Sequence, residues 1–122
     1  MPRVLVVDDE PDAVELLMEF LTSKGYEVIT AGGGEEAIQK VKAERPHLIL
    51  LDVRMPKMNG LEVLRQVRQI DNEIGVIMVT AVNEEATGRQ ALELGAFDYI
   101  VKPLDLEYLE RSLLYKVTSM ML

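Results

Sequence analysis

Five short runs of Val, Ile and Leu divide the chain: Arg3–Val7, Tyr26–Thr30, Leu48–Leu51, Val76–Val79 and Asp98–Val101. They recur roughly every 22–25 residues, the length of one strand-plus-helix unit. The runs Val4-Leu5-Val6-Val7 and Leu48-Ile49-Leu50-Leu51 show no polar alternation. Such strands are covered on both faces, as in the middle of a parallel sheet. The intervals between the runs carry helical spacing instead. Pro11 opens the first, Val14, Leu17, Met18 and Leu21 form its apolar stripe, and Gly25 closes it. A second helix is predicted from about Glu35 to Ala43, ending before Pro46. A third, from about Asn59 to Ile70, carries Val63, Leu64, Val67 and Ile70 on one side. The fourth, about Glu84 to Leu94, is the weakest, with a stripe of little more than Ala91 and Leu94 and an interior Gly88.

The fifth helix is predicted from near Leu104 to the end, with Leu106, Leu109, Leu113, Val117 and Met120 facing the core. A second apolar line, Tyr108, Tyr115 and Leu122 with Leu114 and Met121 beside it, leaves the closing residues apolar on more than one side. Alternating strands and helices with right-handed crossovers give a doubly wound α/β fold, a five-stranded parallel sheet of order 2-1-3-4-5 with five helices. One domain spanning 1–122 is expected. The Gly32-Gly33-Gly34 run lacks a following Lys-Ser/Thr and comes after the second strand, so it reads as a turn into the second helix rather than a phosphate loop.

Charge narrows the class of ligand. The formal net charge is −8, which argues against nucleic acid as the partner of this domain. There is no cysteine and a single histidine, His47, so thiolate sites and histidine metal clusters are excluded. No apolar run reaches the length of a membrane span and no signal peptide is apparent, so a cytoplasmic location is expected.

In such a sheet, ligands bind beyond the carboxyl ends of the strands, near the switch in strand order. Here the first strand ends in Asp8-Asp9-Glu10, the third in Asp52, the fourth in Thr80 and the fifth in Lys102-Pro103. Asp9 or Glu10 before Pro11 also suits a helix N-cap, and Thr80 or Lys102 alone would be unremarkable. Together they form a constellation. Clustered carboxylates need a compensating cation, and all-oxygen ligands favour Mg²⁺. Asp52 is then the candidate nucleophile for an acyl phosphate, with the cation, Lys102 and the Thr80 hydroxyl each meeting one phosphoryl oxygen.

These residues resemble the receiver domain of bacterial two-component response regulators, a flavodoxin-like fold, over essentially the whole chain. The matching segments are Val-Val-Asp8-Asp9, Leu-Leu-Asp52-Val-Arg-Met55-Pro56-Lys-Met-Asn59-Gly60, Val-Thr80-Ala81 and Tyr99-Ile-Val-Lys102-Pro103. The resemblance implies that a sensor histidine kinase or phosphotransfer protein phosphorylates Asp52. It implies that Asp9, Asp52 and the Arg54 backbone carbonyl bind Mg²⁺ directly, with Asp8 acting through water. Thr80, Ala81 and Lys102 would meet the phosphoryl group, Tyr99 would turn inward behind Thr80, and Lys102–Pro103 would be cis. Arg54 and Val82 occupy positions that tune phosphoryl lifetime, and here they suggest slow self-dephosphorylation. The weak fourth helix suits a switch element, and a homodimer through the fourth helix, fifth strand and fifth helix would cover the apolar end of the chain. Continuation into a linker and output domain would also cover it.

Two other classes share parts of this pattern. A metal-dependent aspartyl-phosphate phosphohydrolase usually carries a second Asp two residues after the nucleophile, where Arg54 stands, which argues against a turnover enzyme. A flavodoxin-like electron carrier would need a hydroxyl-rich phosphate loop after the first strand. Asp8-Asp9-Glu10-Pro11 there repels phosphate, and the chain has no Trp.

Overall fold

The computed structural model describes residues 2–121. Five parallel strands, β1 (Arg3–Val7), β2 (Glu27–Ala31), β3 (Leu48–Leu51), β4 (Gly75–Thr80) and β5 (Asp98–Val101), form one sheet of order β2-β1-β3-β4-β5. Five helices alternate with them: α1 (Pro11–Ser23), α2 (Gly34–Glu44), α3 (Gly60–Ile70), α4 (Glu85–Glu93) and α5 (Leu106–Met120). The unbroken apolar strands are the covered ones: β1, β3 and β4 are buried almost throughout. One face packs under α2, α3 and α4 around Leu5, Ile49, Leu51, Val63, Leu64 and Met78. The other packs under α1 and α5 around Val4, Leu48, Leu50, Ile77, Leu109 and Leu113. Alternate residues of one strand thus feed two cores.

Several boundaries move from the expected ones. Tyr26 stays out of β2, because its amide bonds to Leu21 O in the turn that closes α1 at Gly25 (φ 93°). Strand β4 gains a residue at each end: the Gly75 amide reaches His47 O, and Thr80 pairs with Val101. Helix α5 starts at Leu106 rather than near Leu104, since the Asp105 carboxylate caps the Glu107 and Tyr108 amides. The Lys102–Pro103 peptide before it is cis.

Two expected core residues are on the surface. Met18 is 39% exposed, because Leu17 and Leu21 take the sheet-facing stripe of α1 and Met18 falls on its flank. Met120 is 38% exposed, in the last turn of α5, two turns past the fully buried Leu113. Leu122, the end of the second apolar line, lies outside the described residues. Of that line, Tyr108, Leu114, Tyr115 and Met121 are all exposed.

Candidate functional site

Parallel register brings the carboxyl ends of four strands to one edge. The Asp8 amide bonds to Ala31 O, the Asp52 amide to Val7 O and the Lys102 amide to Thr80 O, so each candidate residue sits at or just beyond the last rung of its ladder. Carboxylate oxygens of Asp8, Asp9 and Asp52 converge within 4.8 Å of one another. Asp8 and Asp52 are nearly buried, at 4% and 6% exposure, whereas Asp9 is exposed.

Buried carboxylates persist only with partners. Lys102 Nζ donates to Asp8 Oδ2 at 2.9 Å and lies 3.6 Å from Asp52 Oδ2. The Glu10 amide donates to Asp8 Oδ1 and the Arg54 amide to Asp52 Oδ1. Burial pulls the Lys102 pKa down, but the Asp8 hydrogen bond and the charges of Asp8, Asp52 and Glu10 outweigh it and hold the ammonium above its ordinary value. Glu10 is the N-cap residue of α1, yet neither its side chain nor that of Asp9 caps the helix. Asp9 accepts no hydrogen bond among the described residues and is left to the pocket.

One lysine beside three carboxylates leaves net negative charge in a space lined by hard oxygen donors. That is the chemistry of a Mg²⁺ site, and the residues present fit one. The Arg54 carbonyl, which accepts no hydrogen bond among the described residues, remains open as a further oxygen.

The loop after Asp52 is tightly held. Val53 and Met55 are buried, the Gly60 amide bonds to Val53 O at 2.7 Å, and Asn59 caps α3 through the Glu62 amide. A Cβ on Gly60 would stand 2.0 Å from the Asp52 carbonyl oxygen, so only glycine lets α3 start this close to the Asp52 backbone. Gly60 was legible as part of the motif, but its steric role was not.

Thr80 is fully buried, and its Oγ1 accepts from the Val82 amide at 3.2 Å. The Val82 carbonyl in turn accepts from the Tyr99 hydroxyl at 2.7 Å. Burial, with the nearby charges of Glu84 and Asp52, raises the Tyr99 pKa. Ala81 is exposed between Thr80 and the buried Val82. Arg54 turns away from the carboxylates: its guanidinium lies 3.8 Å from Glu84 in a largely exposed pair. Glu84 carried no sequence signal, since only the fold brings the loop before α4 beside the loop after β3.

The class is therefore a doubly wound α/β domain with an acidic, lysine-bridged pocket at its topological switch. The chain belongs to the response regulator receiver domain family, whose model matches residues 4–114. It is 50% identical over 101 residues to the alkaline phosphatase synthesis transcriptional regulatory protein PhoP of Bacillus subtilis, covering 83% of this chain and 42% of that protein. The probable C4-dicarboxylate response regulator DctR of Bacillus subtilis is 41% identical, over 91% of this chain and 50% of the relative. The chain thus spans about half the length of the curated relatives it matches. Among solved structures, the response regulator TrrA of Thermotoga maritima in complex with Mg²⁺ and BeF superposes with a TM-score of 0.87 at 36% identity, covering 95% of this chain and 99% of that one. No helix among the described residues is long and apolar enough to cross a membrane.

Proposed function

We propose that this domain is a phosphorylation-activated switch that accepts a phosphoryl group on Asp52 from a phosphohistidine of a sensor kinase or phosphotransfer protein. The observation that carries the reading is the nearly buried Asp52 carboxylate, 3.6 Å from Lys102 Nζ and grouped with Asp8 and Asp9. An Asp52 carboxylate oxygen attacks phosphorus, the P–N bond to histidine breaks, and an acyl phosphate forms as the imidazole leaves. Asp8, Asp9, Asp52 and the Arg54 carbonyl would hold Mg²⁺, which supplies charge neutralisation at the phosphoryl oxygens; the Mg²⁺–BeF complex of TrrA supports this choice of ion. Lys102, released in part from Asp8, meets another phosphoryl oxygen, and the Thr80 hydroxyl a third.

Thr80, Val82 and Tyr99 form a relay. Turning Thr80 Oγ1 towards the phosphoryl group frees the Val82 amide, and the Val82 carbonyl carries the Tyr99 hydroxyl. The changed surface is then the α4–β5–α5 face, where Leu92, Tyr108 and Tyr115 are exposed, and a homodimer through it is the expected output. A turnover phosphohydrolase is disfavoured because Arg54 stands where its second Asp would be and pairs with Glu84. Val82 offers no side-chain hydrogen bond to an attacking water, so slow self-dephosphorylation is expected. Rapid acyl-phosphate decay that is unchanged in Arg54→Ala would contradict that.

The test is incubation with a small phosphodonor and Mg²⁺, followed by intact-mass measurement. Gain of one phosphoryl group by the wild type and none by Asp52→Ala is expected. An unmodified wild type, or equal gain by the variant, overturns the reading. Size-exclusion chromatography of the same samples checks the dimer.

A further inference from the structure

At the N-terminal ends of β3, β4 and β5, on the edge opposite the acidic pocket, the surface carries an open cavity of about 600 Å³. The six residues of β4 run from one edge to the other, so about 20 Å of sheet separates the two. Its charge runs against that of the chain. The net charge is −8, yet Arg45, Arg68 and Lys116 line this one cavity. Of the acids on its rim, Asp71 is engaged by Arg45 at 3.8 Å and by the Glu73 amide, and the Glu73 side chain completes the set.

Two of the cations have no carboxylate partner among the described residues. Arg68 gives its two terminal nitrogens to the main-chain carbonyls of Asn72 (2.9 Å) and Ile74 (2.6 Å), while its Nε is buried with no acceptor. Those carbonyls hold the guanidinium in place but do not neutralise it, and each terminal nitrogen keeps one further N–H to give. Lys116 Nζ lies 5.2 Å from the centre of the Phe97 ring.

Glycines make the room for both side chains. A Cβ on Gly75 would come within 3.1 Å of Lys116 Cγ and Cε, and one on Gly95 within 2.9 Å of Arg68 Nε. Half-buried cations fixed by backbone and ring, with no carboxylate in direct contact and only Asp71 acting on Arg68 through space, favour an incoming anion.

We infer that the cavity between Arg68 and Lys116 is a binding site for a small oxyanion, a carboxylate or a phosphate. The two remaining terminal N–H groups of Arg68 suit the oxygens of such a group, and the Lys116 ammonium adds a point charge. The site is separate from Asp52 and does not depend on phosphorylation.

The test is a titration followed through backbone amide NMR shifts of the whole chain without Mg²⁺. The probes are inorganic phosphate, glycerol 3-phosphate and citrate, with sodium chloride at matched ionic strength as the control. Saturable shifts at Gly75, Gly95 and Phe97, absent with chloride, are expected. Preference for the phosphates or for citrate identifies the source of the oxyanion, and either supports the site. Arg68 also ties down the Asn72–Ile74 loop, so Lys116 is the better position to vary. K116Q keeps the stem over Gly75 and is expected to weaken binding about tenfold, while K116R holds it within about threefold. Shifts that match chloride, shifts confined to Thr80 and Lys102, or undiminished binding in K116Q would overturn the inference.

Discussion

Helices α3 and α4 lie on the same face of the sheet, touch one another and differ by two residues in length, yet they are attached to the fold very differently. Helix α3 starts from a side-chain cap at Asn59 and buries Gly60, Val63, Leu64 and Val67. Helix α4 follows Glu84, whose side chain gives no cap, contains Gly88 and buries Ala91 alone. The first is a fixed frame that presses against the backbone of Asp52. The second is bound by little more than one methyl group and the Tyr99 ring beneath it, and its free-energy gap to alternative placements is correspondingly small. The proposed switch needs both: a rigid element to aim Asp52 and a loosely held one to respond.

The comparison can be broken most sharply at glycine. Gly60→Ala forces a Cβ onto the Asp52 carbonyl and is expected to cost about 4 kcal/mol, read as a lower urea midpoint with phosphoryl acceptance lost alongside. Truncation of the stripes comes next. Leu64→Ala is expected to cost about 3 kcal/mol, whereas Ala91→Gly costs about 1 kcal/mol; equal losses would contradict the contrast. Gly88→Ala has the opposite sign to Gly60→Ala. A Cβ there meets the Tyr99 ring at an ordinary 3.6 Å, so α4 gains about 1 kcal/mol, seen as slower local amide exchange and a smaller response to phosphorylation. Asn59→Ala loses a cap worth about 1 kcal/mol, with faster exchange in the first turn of α3.

The smallest effect is at the hydroxyl that ties β5 to the loop before α4. Tyr99→Phe removes a hydrogen bond worth about 0.5 kcal/mol at neutral pH. Its pKa is raised in the fold, so the folded state keeps this proton more tightly than the unfolded chain does. Stability from Tyr99 is thus present below the ordinary value of 10.0 and lost as pH rises through the folded one. Urea midpoints of the wild type should fall more steeply than those of Tyr99→Phe across that range.

Much of this contrast was legible beforehand. The stripe of Val63, Leu64, Val67 and Ile70 and the poverty of α4 follow from the spacing of apolar residues, which acts within a turn or two. So does the placement of Asp8, Asp9, Asp52, Thr80 and Lys102 at strand ends. Met18 and Met120 were misplaced because periodicity assigns a residue to a face without saying how far the sheet extends beneath it. Asn59 and Asp105 as caps depend on where the chain enters a helix, which boundary residues alone leave uncertain by one or two positions.

The alternation of strands and helices, the doubly wound class and the set of residues at the carboxyl edge can be read along the chain, because those are consequences of local pattern and chain direction. Packing in three dimensions buries Asp8 and Asp52 while leaving Asp9 open, brings Lys102 back across 94 positions to Asp8, and turns Arg54 to Glu84. It also sets Gly60 against the Asp52 carbonyl and places Arg68 and Lys116 around one cavity. Those facts depend on the register between strands and on how closely helices approach them, and such distances between remote segments leave no trace in the spacing of residues along the chain.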